Sequence, residues 1–397
     1  MRFPSLLLAF TTTGCVGALP DPAPLVTAHP ATVAVVFDRS EARAVVVEGL
    51  ADRSSGRAVE PNDPVRIASI SKLVMAIAAL ELVAEGKLEL DEDVSQYLGW
   101  RLRHPDYPDR PITLPMLLSH RSGLRDTAGY VIPLGESLAE HVLRPEAWER
   151  GAPPGEAPFE YANLGSPVLA TVLEGASGER FDRLVERLVF APLGIEACFN
   201  WIGCPDAMAS RAVVLYRSDG VIARDGPSDR PPNCTVPVAE AVRCSLEDYV
   251  PGTNASIFSP QGGVRIGMLD LARLGQELLK RADESVFSRR ALGELVFSML
   301  MKVEADEADF FCVYGFHIQM IEAPGEHCDD HLVGDGRPRI GHAGEAYGLR
   351  SGLWLDYDGG TGIAYFTSGV PDRHAADEGG FAPEEMVLVR RALALGE

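Results

Sequence analysis

Beyond its first residues, the 397-residue chain has no apolar run long enough to cross a bilayer. It also lacks positive charge. Its 36 lysines and arginines are set against 57 aspartates and glutamates, a formal net charge of −21. That balance argues against nucleic acid, whose phosphates it would repel. There is no C-x-x-C pair, no Gly-rich phosphate loop and no internal repeat. "GLRSG" at Gly348 is not a G-x-S-x-G elbow, because its serine stands fourth. What remains is an ordinary globular composition, with enough residues for a large core or two lobes.

The first residues, "MRFPSLLLAFTTTGCVGALP", have the order of a secretory leader: Arg2, a short apolar stretch from Leu6 to Phe10, then small residues. Two processing readings stand side by side. One is cleavage after Ala18 (residues 1–18 removed); the other is a lipoprotein signal ending before Cys15, with the membrane reached only through a lipid at that cysteine. Residues 19–31 form a Pro- and Ala-rich tether. Export to the periplasm or outer surface is the expectation. The remaining cysteines come in close pairs, and in an oxidising compartment they read as three local disulfides. The expected pairs are Cys198–Cys204, Cys234–Cys244 and Cys312–Cys328.

Along the chain, "ATVAVVFDRSEARAVVVEGLAD" reads as a β-hairpin turning at Asp38–Glu41. An apolar helix follows from Ser69. The middle is helical and rich in loops, including two helices split at Gly175–Gly178 and stopped by Pro192. β-like runs return in "FFCVYGFHIQMI", "RIGHAG", "SGLWLDY" and "GIAYFTSG", and an amphipathic helix closes the chain. The expected fold class is α/β (α+β): an antiparallel sheet flanked by the N- and C-terminal helices, with an inserted helical lobe. The expected bounds are about 32–100 and 255–397 for the α/β lobe and about 101–254 for the helical lobe, with the site between them.

Chemistry concentrates in four short stretches. "SISK" puts Ser69 and Lys72 three residues apart on one helix face. A serine hydroxyl needs a base to become a nucleophile, and a lysine of lowered pKa can serve. The plain rival is a helix-capping serine beside a solvated lysine. "FEYANLG" carries Tyr161 and Asn163, "RIGHAGEAYG" carries His342, Gly344 and Glu345, and "LLSHRSGL" carries His120. "HCDDH" places His327 and His331 four apart, but a cysteine expected in a disulfide and helix-breaking Pro324 and Gly325 favour a solvated loop over a metal site.

In this order the stretches resemble the serine β-lactamase and penicillin-binding-protein superfamily, especially its class C and esterase-like branch. The glycine pair and following helix of "SPQGGVRIGMLDLARLG" resemble it too. The resemblance implies Ser69 as acyl-accepting nucleophile and Lys72 with Tyr161 as the proton shuttle. Asn163 would orient Lys72 and bind a substrate amide, and His342 and Gly344 would wall the site. The backbone N–H groups of Ser69 and Glu345 would form the oxyanion hole. His120 would be structural. Gly344 is expected to keep the substrate's path to the strand clear. No metal or cofactor is called for, and the partner is a small-molecule or peptide substrate.

Two departures bear on the activity. The third triplet begins with His342 where β-lactamases carry lysine, and it is followed by the acidic Glu345. A histidine is mostly neutral at pH 7 unless a partner such as Glu345 raises its pKa. Esters and amides, D-amino-acid peptides included, are therefore the expected substrates. A β-lactamase or D,D-peptidase and an inactive binding homologue are the alternatives.

Overall fold

The computed structural model describes residues 31–299, 310–323, 328–371 and 380–396. The residues 1–30 read above as leader and tether, Cys15 among them, and His327 lie outside them.

The first run folds as a hairpin, β1 (Thr32–Asp38) and β2 (Ala42–Glu48). Asp38 closes the turn by accepting the backbone N–H groups of Ser40 and Glu41 at 2.7 and 2.8 Å. A short strand, β3 (Val65–Arg66), leads into α1 (Ile70–Ala84). Helix α2 (Gly165–Ser177) and strands β4 (Ala197–Phe199) and β5 (Val264–Ile266) come next. After α3 (Met268–Leu279) and α4 (Arg289–Ser298) come β6 (Val313–Tyr314), β7 (Gln319–Ile321), β8 (Arg339–Ala346), β9 (Leu349–Asp356) and β10 (Thr361–Thr367). Helix α5 (Pro383–Gly396) follows.

Seven strands form one sheet in the order β6-β7-β8-β9-β10-β1-β2, every neighbouring pair antiparallel. Period-two alternation divides its two faces. Val33, Val35, Phe37, Leu353 and Phe366 join the main core with α1 and α3. Ala34, Val46, Trp354, Ile363 and Tyr365 pack with Leu388, Val389 and Ala392 of α5. The expected sheet with terminal helices on it is therefore the observed fold. Helix α1 is buried except at Glu81 and Ala84, so it lacks a polar face and needs protein on all sides. The sheet supplies one side, and α2 and α4 pack elsewhere on it.

Two details position the site. Strand β7 pairs with β8 only at 339–341, so residues 342–346 have no strand partner on that side among the described residues. A small sheet, β3-β5-β4, ties Arg66 to Arg265 and anchors the chain entering α1. One sequence expectation is corrected here. The second of the two middle helices does not stop at Pro192. It widens into a π-turn at Glu186–Phe190, makes one more short turn around Pro192, and ends at Gly194 in the left-handed region, φ 60°. The wider turn accommodates a residue that lacks the N–H an α-helical turn would use.

The three disulfides join the expected partners, with Cα separations of 5.7, 5.9 and 6.1 Å. Cys234–Cys244 closes a loop whose residues 234–237 line the main cleft. Loops of 6, 10 and 16 residues give about 2–3 kcal/mol each in the chain-entropy account. Non-reducing peptide mapping of protein made in an oxidising compartment should recover these three cross-links, and replacing both Cys234 and Cys244 by serine should lower stability by about that amount. Six alkylatable thiols would contradict the assignment.

Candidate active site

Ser69 is the residue just before α1, half-buried on the wall of a cleft of about 1280 Å³. Its hydroxyl does not cap the helix, so the capping rival is not what the structure builds. Ser71 takes the local structural work instead, its Oγ accepting the Val264 N–H at 3.1 Å. Ala68 has φ 48°, an uncommon conformation for alanine, and this kink carries the chain from β3 into α1.

Lys72 lies one turn inside and is fully buried. Its Nζ meets three oxygens: Ser69 Oγ at 3.1 Å, Asn163 Oδ1 at 2.8 Å and the Gln261 carbonyl at 3.2 Å. Burial pulls its pKa down to about 7, and the Asp126 carboxylate opposes that shift. Two of the three partners are carbonyls, which can only accept. A neutral amine therefore gives its two hydrogens to Asn163 and Gln261, and its lone pair is left facing the Ser69 hydroxyl. Asp126 fixes the orientation that makes this work. Its carboxylate accepts from Asn163 Nδ2 and from the Leu164 N–H, both at 2.9 Å, so the amide oxygen of Asn163 must point to Lys72.

Tyr161 completes the group. Its ring stacks on Phe311 (4.5 Å between centroids, 3° between planes) and lies under Lys72 Nζ, 4.7 Å from the ring centre. Burial raises its pKa, and a hydrogen bond with the Ser69 side chain pulls the other way. Its placement is set from behind by His120, whose Nδ1 accepts the Ala162 N–H at 3.2 Å.

His120 belongs to a buried cluster. The Tyr314 hydroxyl lies 3.3 Å from His120 Nε2, 3.3 Å from His317 Nδ1 and 3.0 Å from His342 Nε2. The backbone assigns the protons. His120 Nδ1 accepts, so its proton is on Nε2 and points to Tyr314. His342 Nδ1 is 2.6 Å from the Ala343 carbonyl and must donate, so its Nε2 accepts the Tyr314 O–H. His342 thus lines the cleft with both ring nitrogens engaged. Burial first, and then the Lys72 charge, depress its pKa to about 3. Glu345 does not counter this, because its carboxylate pairs with Arg350 at 2.7 Å.

Gly344 faces the protein, and the expected reason for it is corrected. A Cβ there would sit 2.4 Å from the Ile67 carbonyl and 2.3 Å from Ser351 Oγ. The bare glycine lets β8 press on the segment that delivers Ser69; it does not clear a substrate path. The open edge at 342–346 runs beside that segment. Asp126, Gln261, Tyr314 and His317 were not singled out from the sequence. Asp126 had a usable positional signal, since it directly follows "LLSHRSGLR", and Gln261 sits directly before the glycine pair of "SPQGGVRIG".

A serine with a buried lysine one turn on, and a tyrosine and asparagine brought to it from a second layer, defines a serine-centred site in a cleft beside an antiparallel sheet. The chain matches the family model described as Beta-lactamase over residues 24–382 and belongs to that family. It is 34% identical over 212 residues to esterase EstB of Burkholderia gladioli, covering 49% of this chain and 53% of that protein. It is 32% identical over 140 residues to the D-alanyl-D-alanine-carboxypeptidase/endopeptidase AmpH of Escherichia coli K12, covering 33% and 35%. The chain thus matches about half or less of these relatives' length. Among solved structures, the D-amino acid amidase of Ochrobactrum anthropi bound to D-phenylalanine has TM-score 0.63 at 17% identity, covering 92% of this chain and 94% of that one. The octameric penicillin-binding protein homologue of Pyrococcus abyssi has TM-score 0.65 at 21% identity, covering 93% and 74%. These two share the fold.

With its pKa at about 7, Lys72 acting as a base would make kcat/KM for a neutral ester rise through neutral pH and level off above it. Asp126→Asn removes the charge that holds the lysine's pKa up. Its acid limb should move to lower pH while the plateau falls, as Asn163 loses its anchor. An unshifted limb would contradict the coupling.

Proposed function

We propose that this protein is an exported serine hydrolase that acts on esters or amides, D-amino-acid peptides included, through an acyl-enzyme on Ser69. The observation that carries the reading is the hydrogen-bond set of Lys72, whose two carbonyl partners leave the amine lone pair for the Ser69 proton. Lys72 takes that proton as Ser69 Oγ attacks the substrate carbonyl. The backbone N–H groups of Ser69 and Glu345 receive the developing oxyanion. Tyr161, kept protonated by burial, gives a proton to the leaving group and is resupplied from the Lys72 ammonium. Water then enters and the steps run in reverse. The esterase and carboxypeptidase relatives support this class of chemistry. Three disulfides support export, and no helix among the described residues is long and apolar enough to cross a membrane.

A neutral, fully engaged His342 favours esters and amides over β-lactams. It supplies no positive charge for the carboxylate of a penicillin or cephalosporin. The D,D-peptidase reading stays as the second one, supported by the name of the AmpH relative. The intact Ser69, Lys72, Tyr161 and Asn163 set argues against an inactive binding homologue.

Ser69→Ala should abolish fluorophosphonate labelling with the circular dichroism unchanged. Lys72→Ala and Tyr161→Phe should each cost roughly 10²–10⁴ in rate, with losses that do not add. A p-nitrophenyl ester should be turned over with higher kcat/KM than a chromogenic cephalosporin. Undiminished turnover by Ser69→Ala removes the mechanism, and a cephalosporin preferred over every ester and D-aminoacyl amide removes the substrate class.

A further inference from the structure

The cleft has two unlike ends. His342, on β8, lies toward an aromatic end, where Tyr161 meets both His342 and Phe311 and Phe310 bridges Phe311 to Phe381; Tyr347, just past the end of β8, lies toward the other. Around Tyr347 the cleft wall is cationic, although the protein carries a net charge of −21. The guanidinium carbons of Arg66 and Arg224 lie 5.2 and 5.9 Å from the centre of the Tyr347 ring. Arg66 stands three residues before Ser69 and is only 5% exposed. Its Nε and Nη1, and Nε of Arg224, are buried with no hydrogen-bond partner.

A buried arginine such as Arg66 is normally paired, because an unpaired buried charge is expensive; Arg224 beside it is partly buried. Neither of these has an ion pair among the described residues. The neighbouring carboxylate, Asp225, is bound to Arg265 at 2.7 Å and to the Trp201 indole N–H at 2.8 Å; its second oxygen has no hydrogen-bond partner. Three arginines therefore share one carboxylate, two positive charges in excess. Burial and the charge of Arg265 pull the Arg66 pKa down to about 9, the mark of a cation short of anions. Arg350, on the same wall, is already neutralised by Glu345. Asp229 also lines the cleft but makes no ion pair with Arg66 or Arg224.

We propose that Arg66 and Arg224 form a carboxylate-binding subsite at the Tyr347 end of the cleft, so that the preferred ester or amide substrates carry an acidic group there. The planar guanidinium fork suits a carboxylate, and a cleft wall of low dielectric strengthens the contact. This rests on the hydrolase reading above and adds a specificity to it. The aromatic end then takes the apolar part of the substrate, with Ser69 between.

The test compares mono-p-nitrophenyl adipate with p-nitrophenyl hexanoate, which differ by a carboxylate in place of a terminal methyl. The expected kcat/KM ratio of adipate to hexanoate is roughly ten or more, within the usual worth of a hydrogen bond to a charged group. Arg224→Gln should lower that ratio roughly tenfold, mainly through KM, and Arg224→Lys should restore part of it. Arg66→Gln should do the same; because Arg66 is buried, Arg224→Gln is the variant that decides if Arg66→Gln fails to fold. Calorimetry on Ser69→Ala protein with the same two esters reads binding without turnover, and the adipate ester should bind about tenfold more tightly. A wild-type ratio at or below one with equal binding overturns the subsite, as does a ratio that Arg224→Gln leaves unchanged. If hexanoate is hydrolysed through Ser69 without an adipate preference, the subsite alone fails. If neither ester is turned over but the adipate ester binds more tightly to Ser69→Ala, the subsite stands and the hydrolase reading fails.

Discussion

The site depends on a lysine buried so completely that its charged form is disfavoured, although its oxygen partners and Asp126 would otherwise hold the proton. Lys72 is buried in the core against α1's apolar neighbours, and two of its three partners are carbonyl oxygens that accept but never donate. Much of the surrounding structure serves that arrangement. Helix α1 is apolar around its whole circumference so that its first turn can be dehydrated. The loop before β5 brings the Gln261 carbonyl, and the start of α2 brings Asn163, whose orientation Asp126 locks. The Tyr314 cluster holds His120, His120 holds the backbone at Ala162, and Tyr161 is placed beside it.

These features cost stability. A buried lysine, a left-handed alanine at Ala68, three neutral buried histidines and the buried, unpaired Arg66 all work against folding. The sign for Lys72 follows from linkage. The unfolded chain holds this proton to about pH 10.5 and the folded one to about 7, so its contribution is most unfavourable at and below neutral pH and eases as pH rises through that window. The fold carries the burden with two hydrophobic cores on either side of one sheet, and with three disulfides outside it.

How much of this was legible in the sequence depends on how far each signal reaches. The β1–β2 hairpin, α1 and the C-terminal strands follow from local periodicity and turn residues, and cysteine spacing sufficed for the disulfides. Ser69, Lys72, Tyr161 and Asn163 were readable as an ordered set. The part Gln261 plays was not, because its backbone carbonyl acts and carries no side-chain signature. Tyr314 and His317 stay silent until β6 and β7 fold back over residues 120 and 342. Gly344 was recognised as constrained for the wrong reason, since only the packed structure shows Ile67 and Ser351 where its Cβ would go. Pro192 misled because a π-turn can absorb it.

The central claim is that Lys72 is a neutral amine in the working enzyme. Titrating its Nζ directly, by heteronuclear NMR of protein with isotopically labelled lysine and a Lys72→Arg variant for assignment, tests that claim most closely. The account predicts a midpoint at about pH 7, set by burial and held up by Asp126. A midpoint near the ordinary lysine value of roughly 10.4 would contradict it, because Lys72 could then not accept the Ser69 proton at neutral pH.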